Sequence, residues 1–134
     1  MSSKTRRETV LVAMWGLASL PAALAHELTH ALASVPWARQ IGVIVEPRSG
    51  RAVTRIDWRD GSGQLARTFA ALAPMLVGLL GAAIFAAVVA ANGLQLPSTA
   101  SGLAKVSVLA MWWAIYTMPS AGDLSAALGG EPDG

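Results

Sequence analysis

Two histidines and a glutamate interrupt an apolar run, AALAHELTHALASVPWA, between Ala22 and Ala38. His26 and His30 are the only histidines in the chain. Four residues apart on a helix, they lie one above the other on the same face. Two imidazole nitrogens placed in this way can be offered to one metal ion, and neutral imidazole suits Zn2+. Glu27 follows the first histidine, close enough to take a proton from water at such a metal and relay it to a leaving group. The H-E-x-x-H spacing is the arrangement of zinc-assisted hydrolysis. Chance produces it in a chain of this length on the order of a few times per thousand. A glutamate inside an apolar helix also costs roughly 2.5 kcal/mol or more unless something pairs with it. A purely structural cluster leaves that cost unexplained, so the metal reading is preferred.

A catalytic zinc commonly takes three protein ligands and keeps a fourth position open. With no cysteine and no further histidine, the third ligand has to be a carboxylate, drawn from Glu46, Asp57, Asp60, Asp123, Glu131 and Asp133. Asp123 is favoured because it alone lies inside an apolar segment, where an unpaired carboxylate is least tolerable. Glu46 is the runner-up. One Zn2+ per chain is the cofactor expected.

These residues need elements to hold them. Hydrophobic residues make up 54% of the 134 and charged residues 13%, which bounds the chain to one domain, residues 1–134, of membrane type. A crossing helix needs about 20 mostly apolar residues. Three segments qualify, at about 9–35, 68–91 and 103–128, so the expected fold is an α-helical integral membrane protein with three transmembrane helices. His26 would lie about 17 residues into the first span and Asp123 about 20 into the third, which runs the same way, at similar depth. Pro21 is expected to kink the first helix, and Pro119 to bend or loosen the third just before Asp123. The Ala- and Gly-rich second span suits close helix packing.

Between the first two spans, at about 37–64, the pattern reads as a short extramembrane β-hairpin. Ile41, Val43 and Val45 alternate along one strand. Val53, Arg55 and Asp57 face one way on the other strand and Thr54, Ile56 and Trp58 the opposite way, with PRSG as the turn. Its free edge offers a place for an extended substrate to add as a strand. The loop holds Arg39, Arg48, Arg51, Arg55, Arg59 and Arg67, against Lys4, Arg6, Arg7 and Lys105 on the other side. This favours a cytoplasmic loop in a multi-pass protein of the cell membrane. A net charge of +2 is too small, and the arginines too scattered, to suggest a nucleic-acid partner, and none is expected. Trp37 and Trp58 suit an interfacial belt, and Trp112 and Trp113 suit lipid or helix packing.

A membrane-embedded HELTH helix, a hairpin, a small-residue helix and a helix with Pro119 before Asp123 together resemble the site-2 protease family of intramembrane zinc metalloproteases. The resemblance spans Thr9 to Leu128, and LAPMLVG, from Leu72 to Gly78, looks like the family's Gly-Pro motif on its second core helix. It implies that His26, His30 and Asp123 bind zinc and that Glu27 is the general base. It also implies a protein substrate with a transmembrane segment. The chain departs from the family pattern at Tyr116, which stands where an Asn is usual, and at Leu124, which follows Asp123 where a Gly is usual. Tyr116 and Ser120 share the face of Asp123 and are candidates for contacting substrate or its oxyanion. Two rivals remain. Cleavage after an A-x-A at Ala25 would leave an amino-terminal His26 able to chelate copper, and a non-proteolytic membrane protein would bind zinc for structure or transport.

Overall fold

The computed structural model describes residues 3–47, 49–93, 95 and 97–130, and within α1 the side chains of residue 10 and of 12–34. The chain runs α1 (Ser3–Ser34), β1 (Ala38–Glu46), β2 (Arg51–Trp58), α2 (Gln64–Asn92), α3 (Ala100–Thr117) and α4 (Ala121–Ala127). The side chains of Lys4, Arg6 and Arg7, and all of Arg48, Glu131 and Asp133, fall outside what is described.

The expectation of three membrane-crossing helices does not hold. Among the described residues one helix, α2, is long and apolar enough to cross a bilayer. The reason differs for the other two segments. In α1 the apolar run is diluted by Ser19, His26, His30 and Ser34, and all four are buried. In the third segment, Pro119 ends a helix rather than bending one. Met118 takes the extended backbone that the residue before a proline favours, closing α3 at 18 residues, and a separate seven-residue helix, α4, follows. Pro21, in contrast, lies within α1 and does not end it.

The strands pair antiparallel, from Ala38 opposite Trp58 to Glu46 opposite Arg51, with a bulge between Ala38 and Gln40. Thr54, Ile56 and Trp58 are half-buried while Val53, Arg55 and Asp57 are exposed, as the alternation predicts. The hairpin lies along α1. At its tip Gly50 turns the chain with φ +66°, and a Cβ added to Gly16 of α1 would come within 2.9 Å of the Gly50 nitrogen. Only a residue without a side chain lets the helix approach so closely.

The interior is built from small and polar groups. Its buried apolar residues include Ala22, Ala31, Ala38, Ala70 and Ala73, with Pro74 and Ser34 almost wholly enclosed. Large side chains such as Leu17, Leu32, Leu80 and Phe85 point outward. Gly78 of α2 lies against Thr117 of α3, where any Cβ would overlap the threonine side chain. The indole N–H of Trp113 donates to the Gly78 carbonyl (3.3 Å), and that of Trp112 donates to the Ala18 carbonyl of α1 (2.6 Å). Both tryptophans thereby tie α3 to its neighbours.

Candidate metal centre

Because they sit one helical turn apart, His26 and His30 turn their rings inward together, 6% and 5% exposed. Their Nε2 atoms face each other at 3.0 Å. The carboxylate of Asp123 closes the triangle, with Oδ1 3.1 Å from His30 Nε2 and Oδ2 3.3 Å from His26 Nε2. The three groups come from α1 and α4, 97 residues apart for His26 and Asp123.

The other ring nitrogens determine which atoms face the centre. His26 Nδ1 donates to the Tyr116 carbonyl at 2.6 Å, and His30 Nδ1 donates to the Ala70 carbonyl at 2.8 Å. A carbonyl only accepts, so both Nδ1 atoms carry hydrogen and both neutral rings present an Nε2 lone pair inward. Both carbonyls lack their usual helical partner. For Ala70 the residue four positions on is Pro74, which has no N–H. For Tyr116 it is Ser120, whose N–H donates instead to Asp123 Oδ2 at 2.6 Å. Local irregularities in α2 and after α3 thus supply the acceptors that orient the imidazoles.

Asp123 is positioned by a capping box at the start of α4. Ser120 Oγ accepts from the Asp123 N–H at 3.1 Å, while the Asp123 carboxylate accepts from the Ser120 N–H. Burial by itself would raise the Asp123 carboxyl, but the hydrogen bonds that His26 and His30 give once Nε2 is protonated, with that from the Ser120 amide, hold it far below the usual carboxylate range. Burial would likewise lower His26. Its hydrogen bonds to Asp123 and to the Tyr116 carbonyl, with the nearby charges of Asp123 and Glu27, outweigh that and raise it.

Two inward lone pairs facing a carboxylate are electron-rich and repel one another unless a cation lies among them. A proton satisfies one contact, and a metal ion satisfies all three. The 3.0–3.3 Å edges match, within a few tenths, the separation of about 3.3 Å between ligands of a tetrahedral zinc bonded at about 2.0–2.1 Å. Imidazoles that donate their second N–H to backbone carbonyls are the usual outer shell of such a centre. The residues present therefore fit zinc.

Glu27 lies alongside, half-buried, and its carboxylate and the two imidazoles all fall within 4.8 Å of one another. The hairpin holds it. The Thr54 N–H donates to Glu27 Oε2 at 2.7 Å, and the Thr54 hydroxyl donates to the Glu27 backbone carbonyl at 2.8 Å. One N–H of β2, that of Thr54, is therefore taken up by Glu27.

The other candidate ligands lie elsewhere. Glu46 is exposed at the hairpin tip and accepts from the Ser49 hydroxyl, Asp57 is exposed on β2, and Asp60 pairs with Arg39. Tyr116 reaches the site through its backbone carbonyl. Thr29 gives its hydroxyl hydrogen to the Ala25 carbonyl, so the Tyr116 hydroxyl donates to Thr29 Oγ1 at 3.0 Å. Ser120 reaches it through the cap on Asp123. Thr54 has no local signature that would mark it in the sequence. The S-x-x-D of the cap and the proline four residues after Ala70 are both legible there. No family model matches the chain, and neither a curated protein nor a solved structure matches it.

Proposed function

We propose that this chain is a zinc-dependent endopeptidase that cuts membrane-protein substrates, with His26, His30 and Asp123 holding the metal and Glu27 acting as general base. The observation that carries the proposal is the convergence of two inward Nε2 atoms and one carboxylate, with both Nδ1 hydrogens given to backbone carbonyls. The resemblance to site-2 proteases points the same way.

Zinc bound there would supply Lewis acidity, polarising a peptide carbonyl and lowering the pKa of water toward neutrality. Glu27 takes a proton from the attacking water and passes it to the departing amide nitrogen. Thr54 fixes the direction from which that carboxylate approaches, since its N–H holds one of the two carboxylate oxygens. The carbonyls of Ala70 and Tyr116 keep both imidazoles in the tautomer that leaves Nε2 for the metal.

We place α2 across the cell membrane. Its Gln64 end adjoins Trp37, Trp58, Arg59 and Arg67, where Trp37 packs edge-on against Phe69 and Arg67 lies over the Trp58 ring. Aromatic and basic residues at one end of an apolar helix suit the cytoplasmic headgroup level.

One observation favours a second reading. Because the Glu27 carboxylate is within reach of both imidazoles, it can serve as a fourth protein ligand, which would make a closed, structural zinc site. Glu27→Gln separates the two in detergent-purified protein. As a general base, its loss leaves the bound zinc in place and lowers peptide hydrolysis by about 10²–10⁴-fold. As a ligand, its loss releases the zinc. His26→Ala and Asp123→Ala are expected to lose zinc under either reading. A wild-type protein that takes up no added zinc would defeat both.

A further inference from the structure

A helical carbonyl normally accepts from the N–H four residues on. In α2 the carbonyl of Ala70 cannot, because the fourth residue is Pro74. Ala70, Ala73 and Pro74 are all buried, Pro74 almost completely, which leaves little room for water to take the missing place. The group that does reach this carbonyl is His30 Nδ1, at 2.8 Å from a helix 40 residues earlier in the chain.

We propose that Pro74 is a positioning residue for the metal centre. By withholding its N–H it keeps the Ala70 carbonyl available as a fixed acceptor. That acceptor sets the His30 tautomer and turns Nε2 toward His26 and Asp123. The inference rests on the zinc reading above and assigns to Pro74 a role that its place in α2 does not require. Proline is the least favourable residue in a helix interior, so a side chain kept only to fill space would be better supplied by a residue with an N–H. Restoring that N–H gives the Ala70 carbonyl a competing donor on its own helix and loosens its hold on His30.

The two roles predict opposite signs for one substitution. If Pro74 only packs, replacing it changes the metal-free melting temperature and leaves zinc affinity alone. If it positions His30, zinc affinity falls while α2, freed of a proline, melts at the same temperature or higher. The experiment is a titration of the full-length protein in detergent with Zn2+ alone, against a chelating competitor. It compares wild type, Pro74→Ala, Pro74→Val and Pro21→Ala, with metal-free melting recorded for each. Valine fills more of the proline's space, so a void is not confused with a lost acceptor.

Both Pro74 variants are expected to bind zinc about ten- to a hundredfold more weakly, the usual loss when an outer-shell partner of a ligand is removed. Pro21→Ala, whose preceding-turn carbonyl at Leu17 holds no imidazole, is expected to stay within about twofold of wild type. If Pro74→Val binds as wild type does, whatever Pro74→Ala does, the inference is overturned and the zinc reading stands. If wild type itself binds no zinc, the reading falls and takes the inference with it.

Discussion

Helices α1 and α2 look alike as strings of alanine and leucine, yet they contribute different things to the centre. α1 contributes side chains: Ser19, His26, His30 and Ser34 are turned inward while Leu17, Leu28 and Leu32 are exposed. α2 contributes backbone. Its buried residues are Ala70, Ala73, Pro74 and Gly78, none of which carries a polar side chain, and its part in the site is one carbonyl. A helix whose inward face is polar spends its apolar residues on the outside. A helix whose inward face is merely small can be apolar all round, as a bilayer-crossing helix is. Among the described residues only α2 meets that condition.

The comparison is sharpest at the glycines of α2. Gly78→Ala places a methyl group against the Thr117 side chain and should destabilise the protein by about 1–3 kcal/mol, as overpacking does. Gly81→Ala, three residues on, meets nothing within 4 Å and should stabilise α2 by about 0.8–1 kcal/mol through helix propensity. Chemical denaturation of both variants tests this pair. Equal effects would mean that α2 does not rely on close backbone approach.

The α1 side is broken or sharpened by pH. In the metal-free protein His26 is raised above its ordinary 6.5 and Asp123 lowered below its ordinary 3.8. The raised imidazole gives its full stabilisation below about pH 6.5 and loses it as pH rises through the higher folded value. The lowered carboxyl stabilises above about pH 4 and loses this as pH falls through its lower folded value. The pair therefore helps most between about pH 4 and 6.5. Zinc needs unprotonated imidazoles, so its own contribution grows as pH rises. Melting curves from about pH 5 to 8 should show metal-free stability from this pair falling while the increment on adding zinc increases. If the zinc increment does not change with pH, the imidazoles are not its ligands.

The smallest effect is expected at the cap. Ser120→Ala removes the side-chain half of the box on Asp123 and should cost about 1 kcal/mol of stability. Ser120→Thr, which can still accept from the Asp123 N–H, should recover most of it. Denaturant midpoints of the two variants check this, and an unrecovered loss in Ser120→Thr would assign Ser120 a role other than capping.

The HELTH spacing, both strands of the hairpin and the apolar stretch of α2 are legible in the sequence because each depends on neighbours a few residues apart. So is the interruption at Pro119, although a proline preceded by an extended residue ends a helix here instead of bending it. The expected number of crossing helices is too high because polar residues interrupt the described part of α1. Pro119 also divides the third apolar segment into α3 and α4, leaving α2 as the one described helix long and apolar enough. Asp123 is preferred over Glu46 in the sequence because it lies inside an apolar segment, at a supposed depth matching that of His26. What brings it to the histidines is the break after α3 and the short capped helix that follows. The contact of Thr54 with Glu27 crosses from strand to helix and leaves no local trace.

The span in sequence across the triangle has a consequence for how the protein is made. His26 and His30 emerge from synthesis long before the groups that complete their setting: Ala70 follows His30 by 40 residues, and Tyr116 and Asp123 follow His26 by 90 and 97. A growing chain that has produced α1, the hairpin and α2 has both imidazoles and Glu27 but neither Asp123 nor the carbonyl that accepts from His26. On the proposed function, hydrolytic competence would arrive all at once, with α4, and a chain that stopped short of it would lack Asp123.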